Sequence, residues 1–224
     1  MTDTCQYTTL ICSLPAYGSL FASRQTPISR FQMERRLTLL EENDAHDIEI
    51  LGQILDWFRH PLNRSDEELL LLIKRLVPEV HSSSIKHYIK WRLEFRTLIA
   101  ALRKKHCGQK FDIHKEWSGS WPGNRWLQHI VQHWQEPVFG LEKHEPWLME
   151  VKRLLENEKA AQLEKYILML VWAWLEKESF GHEFDLEAVA IYRMRWDLVA
   201  RWTCYARKPA EDHFKNLLNQ SLES

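Results

Sequence analysis

Apolar residues recur at three- and four-residue intervals along most of the chain, a spacing that places them on one face of an α-helix. The pattern predicts an all-α fold, an elongated multi-helix bundle of about seven helices. The predicted helices cover residues 30–41, Asn43 or Asp44 to Pro61, Ser65 to Pro78, 84–107, 124–134, 146–179 with a break near Asn157, and 186–206, and a short amphipathic segment ends the chain.

Residue types that start and stop helices stand at the ends of these segments. Ser29, Ser65 and Asp185 each precede a predicted helix and can accept hydrogen bonds from its free N-terminal amides. Gly108 follows the longest basic segment and suits the left-handed backbone that often ends a helix. Pro209 is expected to interrupt the last helix, because proline lacks the amide hydrogen that a helix interior uses.

The N-terminal segment has a different composition. Residues 7–14 are rich in β-branched and aromatic side chains and end at Pro15, which is typical of extended chain. We therefore expect a short extended segment there, either a lone strand or a tethered arm.

Glycine and proline concentrate near the N-terminus and in residues 108–146. The chain is therefore expected to form a single elongated helical domain over residues 1–224. Its sub-modules would be residues 1–110 and 145–224, joined by an irregular segment over residues 111–144.

Composition supports a packed domain and excludes disordered and collagen-like classes. The chain has 224 residues with 45% hydrophobic side chains and 11 Trp, but only 7 Gly and 8 Pro. The four cysteines, Cys5, Cys12, Cys107 and Cys204, lack the paired spacing of zinc or redox sites, so reduced thiols in a cytoplasmic protein are expected. The apolar run 166–175 would reach only about 15 Å as a helix, which predicts a buried helix rather than a membrane span.

Residues with catalytic or ligand-binding potential form no recognisable enzyme motif, so no catalytic residue and no cofactor are predicted. His129 and His133 have the spacing of two ligands of one metal, but no third ligand stands near them and no metal is expected. Trp117, Trp121 and Trp126 lie among turn residues. They could stack on a base, a sugar or a partner's proline, or anchor the loop to the bundle.

Charged residues are segregated along a chain that is almost neutral overall, with a formal net charge of -1. Residues 86–105 and 193–208 are strongly basic, whereas residues 41–56 are acidic. Such segments form solvated faces, internal ion pairs or contacts with a protein partner of opposite charge. Nucleic acid is not expected as a partner, because core apolar residues interrupt the basic helices. The candidate partner-binding residues are Arg92, Arg96, Arg103, Lys104, Lys105, Arg193 and Arg195.

Three short motifs resemble a family of bacterial helical proteins. They are Tyr7-x-x-Leu10-Ile11-x-Ser13-Leu14-Pro15, then Trp91-x-x-Glu94-Phe95 followed by Leu98, Leu102 and Arg103, and the stretch from Leu186 to Arg201-Trp202. Members of that family are encoded among the subunits of bacterial V/A-type ATPases. They look like stand-ins for the C-type (or d-type) subunit, the funnel of helices that seats the central rotor shaft on the membrane ring.

The resemblance implies a non-catalytic structural subunit, located in the cytoplasm and peripheral to the inner membrane through the complex. Its partners would be the rotor shaft and the membrane ring of the ATPase. Known C-type subunits have three similar helical modules, whereas this chain has room for about two. The exposed arginines would contact acidic partner residues, while Trp91, Phe95, Trp196 and Trp202 would belong to the core. The alternatives are an unrelated helical adaptor or assembly factor, a nucleic-acid-binding helical protein, and an enzyme with an unrecognised site.

Overall fold

The computed structural model describes residues 4–55, 66–109, 123 and 125–222. Every regular element in these ranges is helical, which confirms the all-α class. The α-helices are α1 (Thr4–Ser13), α2 (Arg30–Leu37), α3 (Glu42–Leu55), α4 (Asp66–Leu76), α5 (Ser83–His106), α6 (Leu127–Gln132), α7 (Trp147–Glu156), α8 (Ala160–Glu178) and α9 (Leu186–Leu222), with short 3₁₀ turns at Leu20–Ala22 and Val77–Glu79. No helix in these ranges is long and apolar enough to cross a membrane.

The predicted helix boundaries are largely confirmed. Ser29 forms a reciprocal cap with Gln32: the Gln32 amide donates to Ser29 Oγ at 3.2 Å, and the Ser29 amide donates to Gln32 Oε1 at 3.0 Å. Asp185 Oδ1 accepts a hydrogen bond from the Ala188 amide at 2.8 Å. Gly108 has a φ of +67°, the left-handed conformation predicted for the end of α5. Ser65, the cap expected before α4, lies outside the described residues.

The N-terminal prediction was wrong, because residues 4–13 form helix α1 instead of an extended segment. Tyr7 and Leu10 stand three residues apart, so a helix places both on one face, and both are buried there. Thr9 and Ser13 turn their hydroxyl groups back onto helix carbonyl oxygens, at 2.8 and 2.6 Å. Burial of this face outweighs the β preference of the individual residues.

Pro209 was also wrongly predicted to interrupt the last helix, since α9 continues to Leu222. A helix can continue past a proline when the loss of that residue's amide hydrogen bond is tolerated. The predicted break near Asn157 is confirmed. Helix α7 ends at Glu156, and Glu158 has a φ of +53° before α8 begins at Ala160.

The chain divides into two compact units that differ from the predicted sub-modules 1–110 and 145–224. Unit 1 contains residues 1–41 and 171–224, and unit 2 contains residues 42–170. Glycine and proline positions could not reveal this arrangement, because it depends on contacts between the two ends of the chain.

Unit 1 has a small core in which residues before α3 pack against α9. Ile28, Met33, Trp196 and Ala200 are buried together. The Trp196 indole donates a hydrogen bond to the Ile28 carbonyl oxygen at 2.8 Å. This bond joins residues that are far apart in sequence, and it ties the N-terminal helices to the last helix.

Unit 2 is organised around α5, which packs against α3 and α7. Its buried side chains extend over most of its length, from Ile85 to Leu102. Asp47 of α3 is 1% exposed, and its carboxylate accepts hydrogen bonds from the amides of His81, at 2.9 Å, and Ser82, at 2.6 Å. Asp47 therefore holds the chain in place immediately before the start of α5.

Candidate functional site

Three candidate arginines share one side of α5. Arg92, Arg96 and Arg103 follow one another at four- and seven-residue spacing, which keeps them within about 40° around the helix axis. Arg103 is exposed, whereas Arg92 and Arg96 are half-buried. The Arg92 guanidinium lies 5.4 Å from the centroid of the Phe95 ring, so part of this side chain packs against the core.

The two candidate lysines at the end of α5 differ in their surroundings. Lys104 is half-buried near the surface. Lys105 Nζ donates to the carbonyl oxygens of Glu136 and Pro137, and it lies 5.1 Å from the centroid of the Phe139 ring. Burial, followed by the charge of Lys152, lowers the pKa of Lys105. Lys105 therefore stabilises the turn around residue 137 within unit 2.

The two candidate arginines of α9 are also engaged within the fold. Arg193 is only 3% exposed and pairs with Asp197 one turn along the helix. The structure therefore corrects the expectation that Arg193 contacts a partner, because a side chain enclosed with its own counter-ion does not reach the surface. Arg195 is half-buried against the Trp172 ring, at 5.2 Å, and burial lowers its pKa.

An aromatic cluster next to Arg92 connects α5 with α7. The Trp91 and Phe95 rings stack with centroids 5.5 Å apart, and Phe95 lies 4.8 Å from Trp147. The Trp147 indole donates to Glu145 Oε2 at 2.7 Å. Phe95 and Trp196 are buried as predicted, while Trp91 and Trp202 are only half-buried. The cluster fixes the side of α5 that carries Arg92.

Glu94 is the buried carboxylate of the same region, at 9% exposure. Burial raises its pKa, and the positive charges of Lys90 and Arg125 oppose that rise. Glu94 therefore lies among charges of both signs, because Glu145 adds to the rise in its pKa that Lys90 and Arg125 oppose.

His129, His133 and Trp126 contact other residues of unit 2. His129 Nε2 lies 2.9 Å from the Phe139 carbonyl oxygen, and His133 Nδ1 lies 2.7 Å from Glu136 Oε1. Both rings therefore hold the turn that follows α6. Trp126 packs against Arg125 at 4.7 Å, whereas Trp117 and Trp121 lie outside the described residues.

A group with metal-ligand chemistry stands at the start of α9. Ligand atoms of His182, Asp185 and Glu187 all lie within 4.8 Å of one another. His182 Nδ1 is already 2.6 Å from Asp185 Oδ2, and the second oxygen of Asp185 caps α9. These hydrogen bonds account for two of the three residues without a metal ion.

This histidine predicts a pH-dependent contribution to stability. The hydrogen bond to Asp185, followed by the nearby carboxylates, raises the pKa of His182 above its usual 6.5. The stabilisation is therefore fully present below that usual value and is lost as pH rises through the raised pKa. We expect the difference in melting temperature between wild type and His182→Ala to be larger at about pH 6 than at about pH 9. A difference independent of pH would contradict the assignment.

The loop between α8 and α9 exposes aromatic side chains that none of the sequence predictions covered. Phe180 is 93% exposed and Phe184 is 41% exposed. The signal was present in the sequence as two phenylalanines around a glycine and a histidine, between two helices. Residues 179–185 are called the 179–185 loop below.

Comparison with known proteins gives one result. A family model described as "Protein of unknown function (DUF2764)" matches residues 19–223. No curated protein matches the chain. No solved structure matches it either.

Proposed function

The chain belongs to the family described as "Protein of unknown function (DUF2764)", and from the resemblance of its three motifs to the ATPase-associated helical family we propose that it is a non-catalytic structural component of a V/A-type ATPase. In this proposal it acts like the C-type (or d-type) component of these machines and couples the central rotor shaft to the membrane ring. The protein lies in the cytoplasm and reaches the inner membrane only through the complex.

The observation that carries the proposal is the construction of α5. This helix has 24 residues and would span about 36 Å. Its core-facing residues are buried over most of its length, and Arg92, Arg96 and Arg103 share one side. A helix that is anchored along its length and presents cations on one side suits a contact with an acidic protein surface.

A rotor adaptor must also be stiff, because a compliant element stores torque as strain instead of transmitting it. Close-packed interiors resist deformation and transmit strain. Helix α5 contains neither glycine nor proline, and α3 and α7 pack against it. These properties support the adaptor role over that of a flexible linker.

Charge reversal on α5 is the first test of this role. We expect Arg92→Glu/Arg96→Glu/Arg103→Glu to reduce co-purification with ATPase rotor subunits by at least about tenfold, because like charges would then face each other. Wild-type recovery should fall as salt rises, since salt screens exposed charges. The measurement is quantitative mass spectrometry of complexes isolated from native membranes with a tagged full-length chain.

A matched variant separates this effect from a general change in charge. Lys74→Glu/Arg75→Glu/Lys143→Glu reverses three exposed charges of unit 2 that lie outside α5. It should preserve rotor recovery. Equal recovery with both triple variants would contradict the role of the arginines, and absence of rotor subunits from the wild-type sample would refute the ATPase proposal.

The alternative with specific support is a helical adaptor in a different complex. The same side of α5 would then bind another acidic protein. The native-membrane isolation distinguishes the two roles, because the adaptor would recover the same non-ATPase protein in repeated samples and lose it with the α5 triple variant.

A further inference from the structure

The 179–185 loop exposes two aromatic side chains to solvent. Phe180 is 93% exposed and Phe184 is 41% exposed. Single apolar residues are common on protein surfaces, but here two phenylalanines stand on one short loop and one of them is almost fully exposed. Burying a phenylalanine side chain is favourable, so a partner that covers Phe180 would gain binding free energy.

Hydrogen bonds hold the loop in one conformation. The Ser179 amide donates to the Leu175 carbonyl oxygen at 3.0 Å, and the His182 amide donates to the Ser179 carbonyl oxygen at 3.2 Å. Gly181 has a φ of +88°, which reverses the chain directly after Phe180. His182 and Asp185 close the other end, as described above. A loop that is already ordered loses little conformational entropy on binding.

The charges around the loop indicate the kind of partner. Five carboxylates and one lysine lie at residues 176–187, and Arg195 of α9 donates to Ser179 Oγ at 3.4 Å, so negative charges outnumber positive ones there. The carboxylates are Glu176, Glu178, Glu183, Asp185 and Glu187. An anionic membrane surface would repel them. A protein pocket with an apolar floor and a rim of lysine or arginine would match both the phenylalanines and the carboxylates.

We infer that the 179–185 loop is a docking element that inserts Phe180 into an apolar pocket with a basic rim on a protein partner. Phe184 packs at the edge of that pocket, and Glu183 faces its cations. The docking element belongs to unit 1, whereas the arginines of the proposed ATPase contact belong to unit 2. The inference does not rest on the ATPase role.

Site-specific photocrosslinking in native cells tests this inference. p-Benzoylphenylalanine replaces Phe180 in the tagged full-length chain, and mass spectrometry identifies the crosslinked peptide. We expect an adduct with an apolar segment flanked by lysine or arginine on another protein. The same probe at Phe31, which is 73% exposed on α2, is the matched control and should give no such adduct.

A charge variant tests the basic rim. Glu183→Lys should reduce the adduct yield at position 180 by about tenfold at low salt, because it places like charges at the rim. Circular dichroism checks that this variant keeps its helix content. The inference is overturned by adducts only with lipid, with a second copy of the chain or with a segment lacking basic residues, and by a yield at position 180 no higher than at position 31.

Discussion

Asp197→Ala is expected to lower the free energy of unfolding by about 3 to 5 kcal/mol, because it removes the carboxylate that pairs with the buried Arg193 guanidinium. Arg193 is only 3% exposed, and its guanidinium also lies 5.4 Å from the Trp196 ring centroid. For a chain of this size the loss corresponds to a fall in melting temperature of roughly 6 to 20 °C. Differential scanning calorimetry measures it directly.

Two further variants make the interpretation specific. Arg193→Met/Asp197→Leu replaces the buried pair by apolar side chains and should recover most of the lost stability, because no buried charge remains. Lys152 and Glu156 form a more exposed pair at the same four-residue spacing, 3.0 Å apart. Glu156→Ala should change the free energy of unfolding by less than about 1 kcal/mol. Similar losses for Asp197→Ala and Glu156→Ala would contradict the importance of burial.

Asp47→Ala should cost about 2 to 4 kcal/mol of stability in unit 2. The substitution removes the carboxylate that accepts hydrogen bonds from the amides of His81 and Ser82. The Asp47 side chain is only 1% exposed in the folded protein. The start of α5 then loses its attachment to α3. Thermal unfolding gives the overall effect, and faster hydrogen exchange at the His81 and Ser82 amides gives its location.

Conservative and surface variants provide the comparison. Asp47→Asn keeps one acceptor oxygen and should lose less stability than Asp47→Ala. Glu49→Gln changes an exposed carboxylate of the same helix and should be nearly neutral. Equal melting temperatures for Asp47→Ala and Glu49→Gln would show that the hydrogen bonds of Asp47 do not stabilise the protein.

Local signals in the sequence predicted most helix boundaries, because those signals act within a few residues. Ser29 and Asp185 accept hydrogen bonds from amides in the first turn of a helix, and Gly108 adopts the left-handed conformation at the end of one. Asp47 shows the opposite case. It stands within an acidic segment that suggested a solvated face. Its carboxylate nevertheless accepts hydrogen bonds from amides more than thirty residues away in the sequence.

The sequence could not predict the exposure of the candidate partner-binding residues. The basic composition of residues 86–105 pointed to α5, where Arg103 is exposed. The same composition could not show that Lys105 holds a distant turn or that Arg193 is buried with Asp197. Those outcomes depend on which residues approach in three dimensions, and spacing along one helix does not contain that information.

The discontinuous make-up of unit 1 has a consequence for protein synthesis. Unit 2, residues 42–170, is complete before the ribosome has made the second segment of unit 1. Ribosomes add about 5 to 20 residues per second, so helices α1 and α2 are synthesised several seconds before α9. During that interval the apolar faces of Leu10 and Met33, which are buried in the finished protein, have no permanent cover. Met33 is buried against Trp196, so its burial is completed only after the residues near Trp196 have been synthesised.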